Sequence, residues 1–304
     1  MKLKTPHKFK TSLKFRIVDA LCIALMIVPF IAAMIMKILN SPASEGLNIS
    51  GALVYFAFDK MPLMPLYITE AQVNSWAVIL FILGLALYLT HGLKTVPELK
   101  RQLAAEWIVE KAENLVLDNM GEKYVAFAPF IAGILGLSAL SSLSSLLGLF
   151  PPTSDLNVVF GWSLLVFTLI THYKLKGGVW NYTKGYFEPI PLFAPMNVIS
   201  EFATPVSMTL RQFGNVLSGA VISTLIHAAL GGIASILRVG LPAILSLYFD
   251  LFSGCIQAYI FATLTMIYIS NGFPEEAYEK RMKRKAERAK RKAEAAALAS
   301  KLEK

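Results

Sequence analysis

The sequence predicts an all-α, polytopic membrane protein. Three observations carry that prediction: an apolar, charge-poor composition, six apolar runs of spanning length, and cations confined to alternate connections. Of 304 residues, 55% are hydrophobic and only 16% charged, and the mean hydropathy is +0.56. A soluble domain of this size needs far more charge to cover its surface.

A helix needs about 20 largely apolar residues to cross the hydrocarbon core of a bilayer. Runs of that kind fall at 17–39, 73–90, 124–149, 157–173, about 195–237 and about 241–270. The last two exceed a simple span and are expected to lie strongly tilted or partly outside the bilayer. Six spans place both termini on one side. The N-terminus carries Lys2, Lys4, Lys8, Lys10, Lys14 and Arg16, and the second-to-third connection carries Lys94, Lys100, Arg101, Lys111 and Lys123. Lys174, Lys176 and Lys184 lie between the fourth and fifth runs, and residues 271–304 hold eleven Lys/Arg against six Asp/Glu. The intervening connections hold only Lys60 and Arg238. Every basic segment thus falls on one side, which the positive-inside rule makes cytoplasmic. The net charge of +9 marks a membrane face, with no need of a nucleic-acid partner.

Three segments complete the organisation: 1–72, a basic segment with an extra membrane helix and an external loop; 73–270, a domain that holds the other five apolar runs; and 271–304, a basic cytoplasmic tail. The run at 17–39 has the basic flank and apolar core of a signal peptide. It is longer than a usual signal core and no small-x-small cleavage site follows, so a retained helix is expected. Residues 96–120 intersperse Leu99, Leu103, Trp107, Val109, Leu115 and Val116 with charged residues after Pro97, the pattern of an amphipathic helix on the membrane surface. The tail from 275, rich in Ala, Lys, Arg and Glu, is expected to be a solvated helix or a disordered arm; contact with anionic lipid or a partner is the alternative. Gly177 and Gly178 predict a turn. Cys22 and Cys255 lie in apolar runs and read as small apolar residues.

The chemistry concentrates on Arg211. A charge near the middle of a span costs ~2.5–3.5 kcal/mol on insertion scales, and arginine cannot relieve it by losing its proton. Arg211 is therefore expected near mid-depth as a buried cation with an anionic or watery neighbour. Steps of three or four residues through the fifth span give Asn197, Ser200 or Glu201, Thr204, Ser207, Arg211, Gly214 or Asn215, and Ser218, a polar stripe at helical spacing. Pro205 removes one backbone hydrogen bond there. Asp250, Ser253, Gly254 and Gln257 repeat the theme on one face of the sixth span. The fifth run goes outward and the sixth returns, which puts Glu201 toward the cytoplasm, Asp250 toward the outside and Gln257 at the depth of Arg211. A carboxylate on each side of a fixed cation suits two offset aqueous half-channels. The competing structural account is an arginine that only pairs with Asp250 or Glu201, or that snorkels to an interface.

His7, His91, His172 and His227 are scattered; His91 and His172 sit at cytoplasmic span ends. No metal-ligand spacing, phosphate-binding loop or nucleophile–base pairing is present, so no metal, cofactor or catalytic residue is expected. A secondary transporter would carry an internal repeat and broken helices at mid-depth; the sequence has neither.

The stretch PVSMTLRQFGN (205–215) resembles the fifth-helix motif of subunit a of F-type ATP synthases. EWIVEKAENLVLDNMG (106–121), LLGLFPPTSDLN (146–157) and QAYIFATLTMIYIS (257–270) resemble that family's surface helix, its turn between membrane helices and the end of its last helix. The resemblance covers roughly 76–270. It implies a non-catalytic stator subunit of the bacterial cell membrane, with ATP chemistry on other subunits. It also implies two half-channels that load and unload H⁺ or Na⁺ on a rotating ring of subunit c, with the peripheral-stalk subunit b, further ATP synthase subunits and lipid as other partners. Arg211 matches the arginine that faces the ring carboxylate and blocks ion short-circuit; Asn215 and Gln257 match polar neighbours, and Ser207 lies on the same stripe. Asp250 stands where some members have histidine or glutamate, and Ala220 where some have glutamate. Gln212 and Thr204 depart from the leucine and lysine common in the family.

Overall fold

A computed structural model describes residues 13–40, 52–58, 66–95, 99–188, 190–230, 244, 247–284 and 286–288. The helices are α1 (Leu13–Asn40), α2 (Glu70–Thr90), α3 (Lys100–Met120), α4 (Ala128–Leu143), α5 (Leu156–Leu175), α6 (Val179–Tyr186), α7 (Ala194–Leu230) and α8 (Gly254–Asn271), the last preceded by a π-helical turn, Leu247–Ser253. Among the described residues, five helical segments are long and apolar enough to cross a membrane: Phe15–Asn40, Glu70–Thr90, Glu122–Leu147, Leu156–Leu175 and Leu247–Asn271. The 37-residue α7 occupies the remaining expected run. At 1.5 Å per residue it is about 55 Å long, well beyond the ~30 Å hydrocarbon core. The protein is an all-α polytopic membrane protein.

The chain divides into two compact units, Met1–Gly161 with Thr209–Leu264, and Trp162–Met208 with Thr265–Lys304. In the first, α1 lies along α2. An added Cβ at Gly84 would stand 2.7 Å from Met26 Cγ and 3.0 Å from the Cys22 carbonyl oxygen, so only glycine permits this approach, as small residues do where membrane helices pack closely. Phe30 meets Phe81 edge-to-face nearby. Charges fasten both ends of α1. Asp19 Oδ1 accepts from Arg101 Nη1 at 2.8 Å and lies 3.0 Å from His91 Nδ1. Lys37 Nζ stands 3.2 Å from Glu70 Oε1 and donates to the Gly148 carbonyl at 2.6 Å. Asn74, one turn beyond Glu70, donates to the Phe150 carbonyl.

The expected external loop contains a short antiparallel hairpin, β1 (Val54–Phe58) with β2 (Leu66–Thr69), paired Phe56 to Ile68 and Phe58 to Leu66. It is β2 that runs directly into α2. The amphipathic segment forms α3, which begins at Lys100 after Leu99; the proposed start at Pro97 lies outside the described residues. Gln102 is buried there and holds both the amide and the carbonyl of Lys94, while Leu103, Trp107 and Val109 are exposed, as a surface helix requires. Serines 138, 141 and 142 of α4 are buried. An added Cβ at Gly254 would stand 2.8 Å from Ser142 Cβ, which brings α8 close against α4.

In the second unit, the end of α5 turns through Gly177 and Gly178, as expected; Gly178 has φ +107°, a conformation only glycine adopts readily. An added Cβ at Gly177 would stand 2.5 Å from Pro274 Cγ. The helix α6 that follows was not legible in the sequence pattern. Residues 275–284 of the tail are helical, and Arg281 donates to the Lys176 carbonyl; the tail from 289 lies outside the described residues.

Candidate functional site

The helix α7 passes through Pro205 without a break. Within the first unit, its buried face is made by Thr209, Gln212 and Gly219, while Leu210, Arg211, Leu217 and Ser218 are exposed. On the chain alone the Arg211 side chain lies on an open face and makes no hydrogen bond or ion pair among the described residues. The cost of an intramembrane charge still demands a neighbour, and these residues do not supply one. Gln212, one position on and about 100° round the helix, points the other way. It is fully buried and its Nε2 donates to Ser138 Oγ of α4 at 2.8 Å.

Asn215 is half-buried and its Oδ1 accepts from Ser253 Oγ at 2.7 Å. Ser253 ends the π-helical turn Leu247–Ser253. Such turns are rare and concentrate at functional sites. Asp250 belongs to this turn; its side chain lies outside the described residues. Gln257 is buried on the next turn, in α8. The structure therefore joins Asn215 to the element that carries Asp250, through a serine.

In the second unit, Ser207 is exposed and Glu201 is clasped. The Glu201 side chain is 9% exposed, with Oε1 2.8 Å from Lys174 Nζ. The Tyr182 hydroxyl donates to Oε1 at 3.1 Å, and the Tyr186 hydroxyl donates to Oε2. Burial, together with the anion it faces, pushes the Tyr186 hydroxyl well above the usual tyrosine range; burial also raises Tyr182. Both therefore stay protonated donors. A cavity of about 400 Å³ is lined by Lys174, Tyr182, Tyr186, Asn197, Glu201 and Thr204. The Lys174–Glu201 pair also lines a second cavity, of about 220 Å³, with Phe167 and Tyr268.

Sequence reasoning missed Lys174, Tyr182 and Tyr186 as partners of Glu201. Their signal was the aromatic–cation cluster 173–186 in a connection otherwise read only for topology. It also missed Asp19 and Lys37, two charges inside an apolar run, whose spacing of eighteen residues puts one at each end of a span.

Apolar helices long enough to cross a membrane, with an arginine on an open helix face and a clasped carboxylate beside a cavity, define a multi-pass membrane protein. The family model described as ATP synthase A chain matches residues 72–270, and the chain belongs to that family. It is 33% identical over 228 residues to "ATP synthase subunit a, sodium ion specific" of Propionigenium modestum, covering 69% of this chain and 76% of that one. It is 35% identical to ATP synthase subunit a 1 of Crocosphaera subtropica over 66% of this chain and 85% of that one. With ATP synthase subunit a of Geotalea uraniireducens it shares 33% identity over 73% of this chain and 97% of the relative, so this chain carries segments that relative lacks. Helix α1 lies outside the family match. As a member of the family, the protein is a membrane subunit that works with other ATP synthase subunits in ion translocation.

Proposed function

We propose that the chain is the stator channel of a rotary ATP synthase, non-catalytic itself, and that Arg211 is half of a site completed by a carboxylate on a ring of subunit c. The observation that carries this reading is the exposure of Arg211 on an uncovered face of α7 without a partner among the described residues. An ionised ring carboxylate is tolerable in the membrane only beside Arg211, whereas a neutralised one can face lipid. An ion entering by one half-channel neutralises a ring site, rotation carries it round, and the other half-channel releases it. The fixed positive charge of Arg211 repels ions that would pass straight from one half-channel to the other. Each elementary charge that crosses contributes about 2.3 kcal/mol per 100 mV, so several crossings are needed for one ATP.

In this account Glu201 and its cavity belong to the inner half-channel and Asp250 to the outer one. Ser207, Asn215 and Gln257 line the passage beside Arg211, and subunit b braces the stator. The setting is a bacterial cell membrane with both termini cytoplasmic. The transported ion is H⁺ or Na⁺, because selection resides on the ring. Purification should bring down a ring of small subunits, and the ion dependence of the ATPase activity identifies the ion; purification of the ATPase with no ring attached would remove the basis of the reading. For the outer half-channel, Asp250→Asn is expected to slow ion flux in a complex that still assembles. Unchanged flux would end its relay role.

The extra helix is part of the same proposal. With charges paired at both ends and Gly84 against Met26, α1 packs as a membrane helix beside α2. Loss of α1 would take its cation from the buried Glu70; with Lys37 33% exposed, the cost falls below the ~3–5 kcal/mol of breaking a fully buried pair. Gly84→Leu should overpack this contact at a cost of roughly 1–3 kcal/mol, read as a lower unfolding temperature of the purified protein. An unchanged temperature would mean that nothing rests on Gly84.

A further inference from the structure

Two side-chain hydrogen bonds that tie α7 to other elements of the first unit lie to one side of Arg211. A helix turns 100° per residue, so Gln212 stands about 100° round from Arg211 and Asn215 about 40° round in the same sense. Gln212 is held by Ser138 of α4 and Asn215 by Ser253 at the head of α8. One helix is thus tied to two different neighbours along one edge of the face that carries the arginine.

The Gln212 amide is an odd choice if packing were the purpose. Its Nε2 is bonded, but its Oε1 is buried without a partner among the described residues. A half-satisfied buried amide stabilises little, and an apolar side chain would fill the same space. A single directed hydrogen bond does something that an apolar contact cannot, which is to select one rotation and one height of the helix. Buried polar groups have that registering role in helical assemblies.

We infer that Gln212 is a positioning residue: its bond to Ser138, with the Asn215–Ser253 bond as the second point, fixes the rotation of α7 so that Arg211 is aimed out of the chain at its partner. This rests on the reading of Arg211 as half of a site completed elsewhere. Ser138 is the acceptor and should matter equally.

The test uses the assembled complex reconstituted in vesicles, with ions pumped per ATP hydrolysed as the readout. A purely structural role lowers pumping and hydrolysis together as complexes are lost; misaimed arginine lowers pumping per ATP while hydrolysis persists. Gln212→Leu and Ser138→Ala are each expected to lower pumping per ATP severalfold, within the ~100-fold that an ångström of misplacement can cost. The double variant should be no worse than either single one, because both remove the same bond. Ser138→Thr keeps the hydroxyl and should keep the wild-type ratio. An unchanged ratio in both single variants, or disappearance of the complex from the membrane in both, overturns the proposal. Arg211→Ala separates the two claims: if it pumps normally, the reading of Arg211 fails; if it is dead while Gln212→Leu and Ser138→Ala retain the ratio, only the brace fails.

Discussion

Arg211→Ala is expected to abolish ATP-driven ion pumping by the reconstituted complex while the complex still assembles. The side chain is exposed and bonds to nothing among the described residues of its own chain, so its loss orphans no buried partner within the fold. The penalty falls on the ring carboxylate, which would have to ionise in the membrane without a cation beside it. On insertion scales an acidic group at the bilayer centre costs ~2.5–3.5 kcal/mol, and at 1.36 kcal/mol per decade that depopulates the ionised state by roughly a hundredfold or more. Arg211→Lys should fail as well, because an ammonium is a compact, strongly hydrated charge that can lose its proton in an apolar setting, whereas guanidinium keeps its charge and its planar fork. Wild-type pumping by Arg211→Ala would be incompatible with the proposed stator channel.

Glu201→Gln should have the next largest effect. The substitution keeps the shape of the side chain and one acceptor for Tyr182 or Tyr186, but removes the charge that Lys174 answers at 2.8 Å. Lys174 is then left partly buried without its anion, which on the pattern of broken buried pairs costs up to ~3–5 kcal/mol; its 30% exposure reduces that toward the lower end or below. If Glu201 passes ions, flux falls in Glu201→Gln and stays near wild type in Tyr186→Phe, which loosens the clasp but spares the carboxylate. If the cluster is only a clasp for α6, the two variants lose stability in common and ion flux per assembled complex is unchanged in both. That second pattern would remove Glu201 from the inner half-channel.

What the sequence made legible follows from what is local. The spans at 73–90 and 157–173 are found within three residues of α2 and α5, because an uninterrupted apolar run is a property of adjacent positions. The Gly177–Gly178 turn and the surface helix α3 are likewise short-range patterns. The choice of partner is not. Asp19 meets Arg101 across 82 positions and Gln212 meets Ser138 across 74, and no spacing rule reaches that far. The fifth span shows the limit most plainly. Its polar stripe was visible at helical spacing, but periodicity gives only relative angle round the helix. It could not tell that Thr209 and Gln212 make the edge that packs within the chain and that Arg211 stays on the open face. The hairpin of β1 and β2 escaped because two strands of five and four residues are too short to stand out within a connection between spans.

The most direct measurement is disulfide cross-linking in the assembled complex, with Cys22 and Cys255 first replaced by serine. Ser207→Cys and Ser218→Cys place thiols on the exposed stripe of α7, about one and two turns from Arg211, and a second cysteine is placed one turn from the carboxylate of the ring subunit. The account predicts a cross-link from both stripe positions, with Arg211 intact throughout. No cross-link from either, in a complex that still hydrolyses ATP, would contradict the claim that the open face of Arg211 meets the ring.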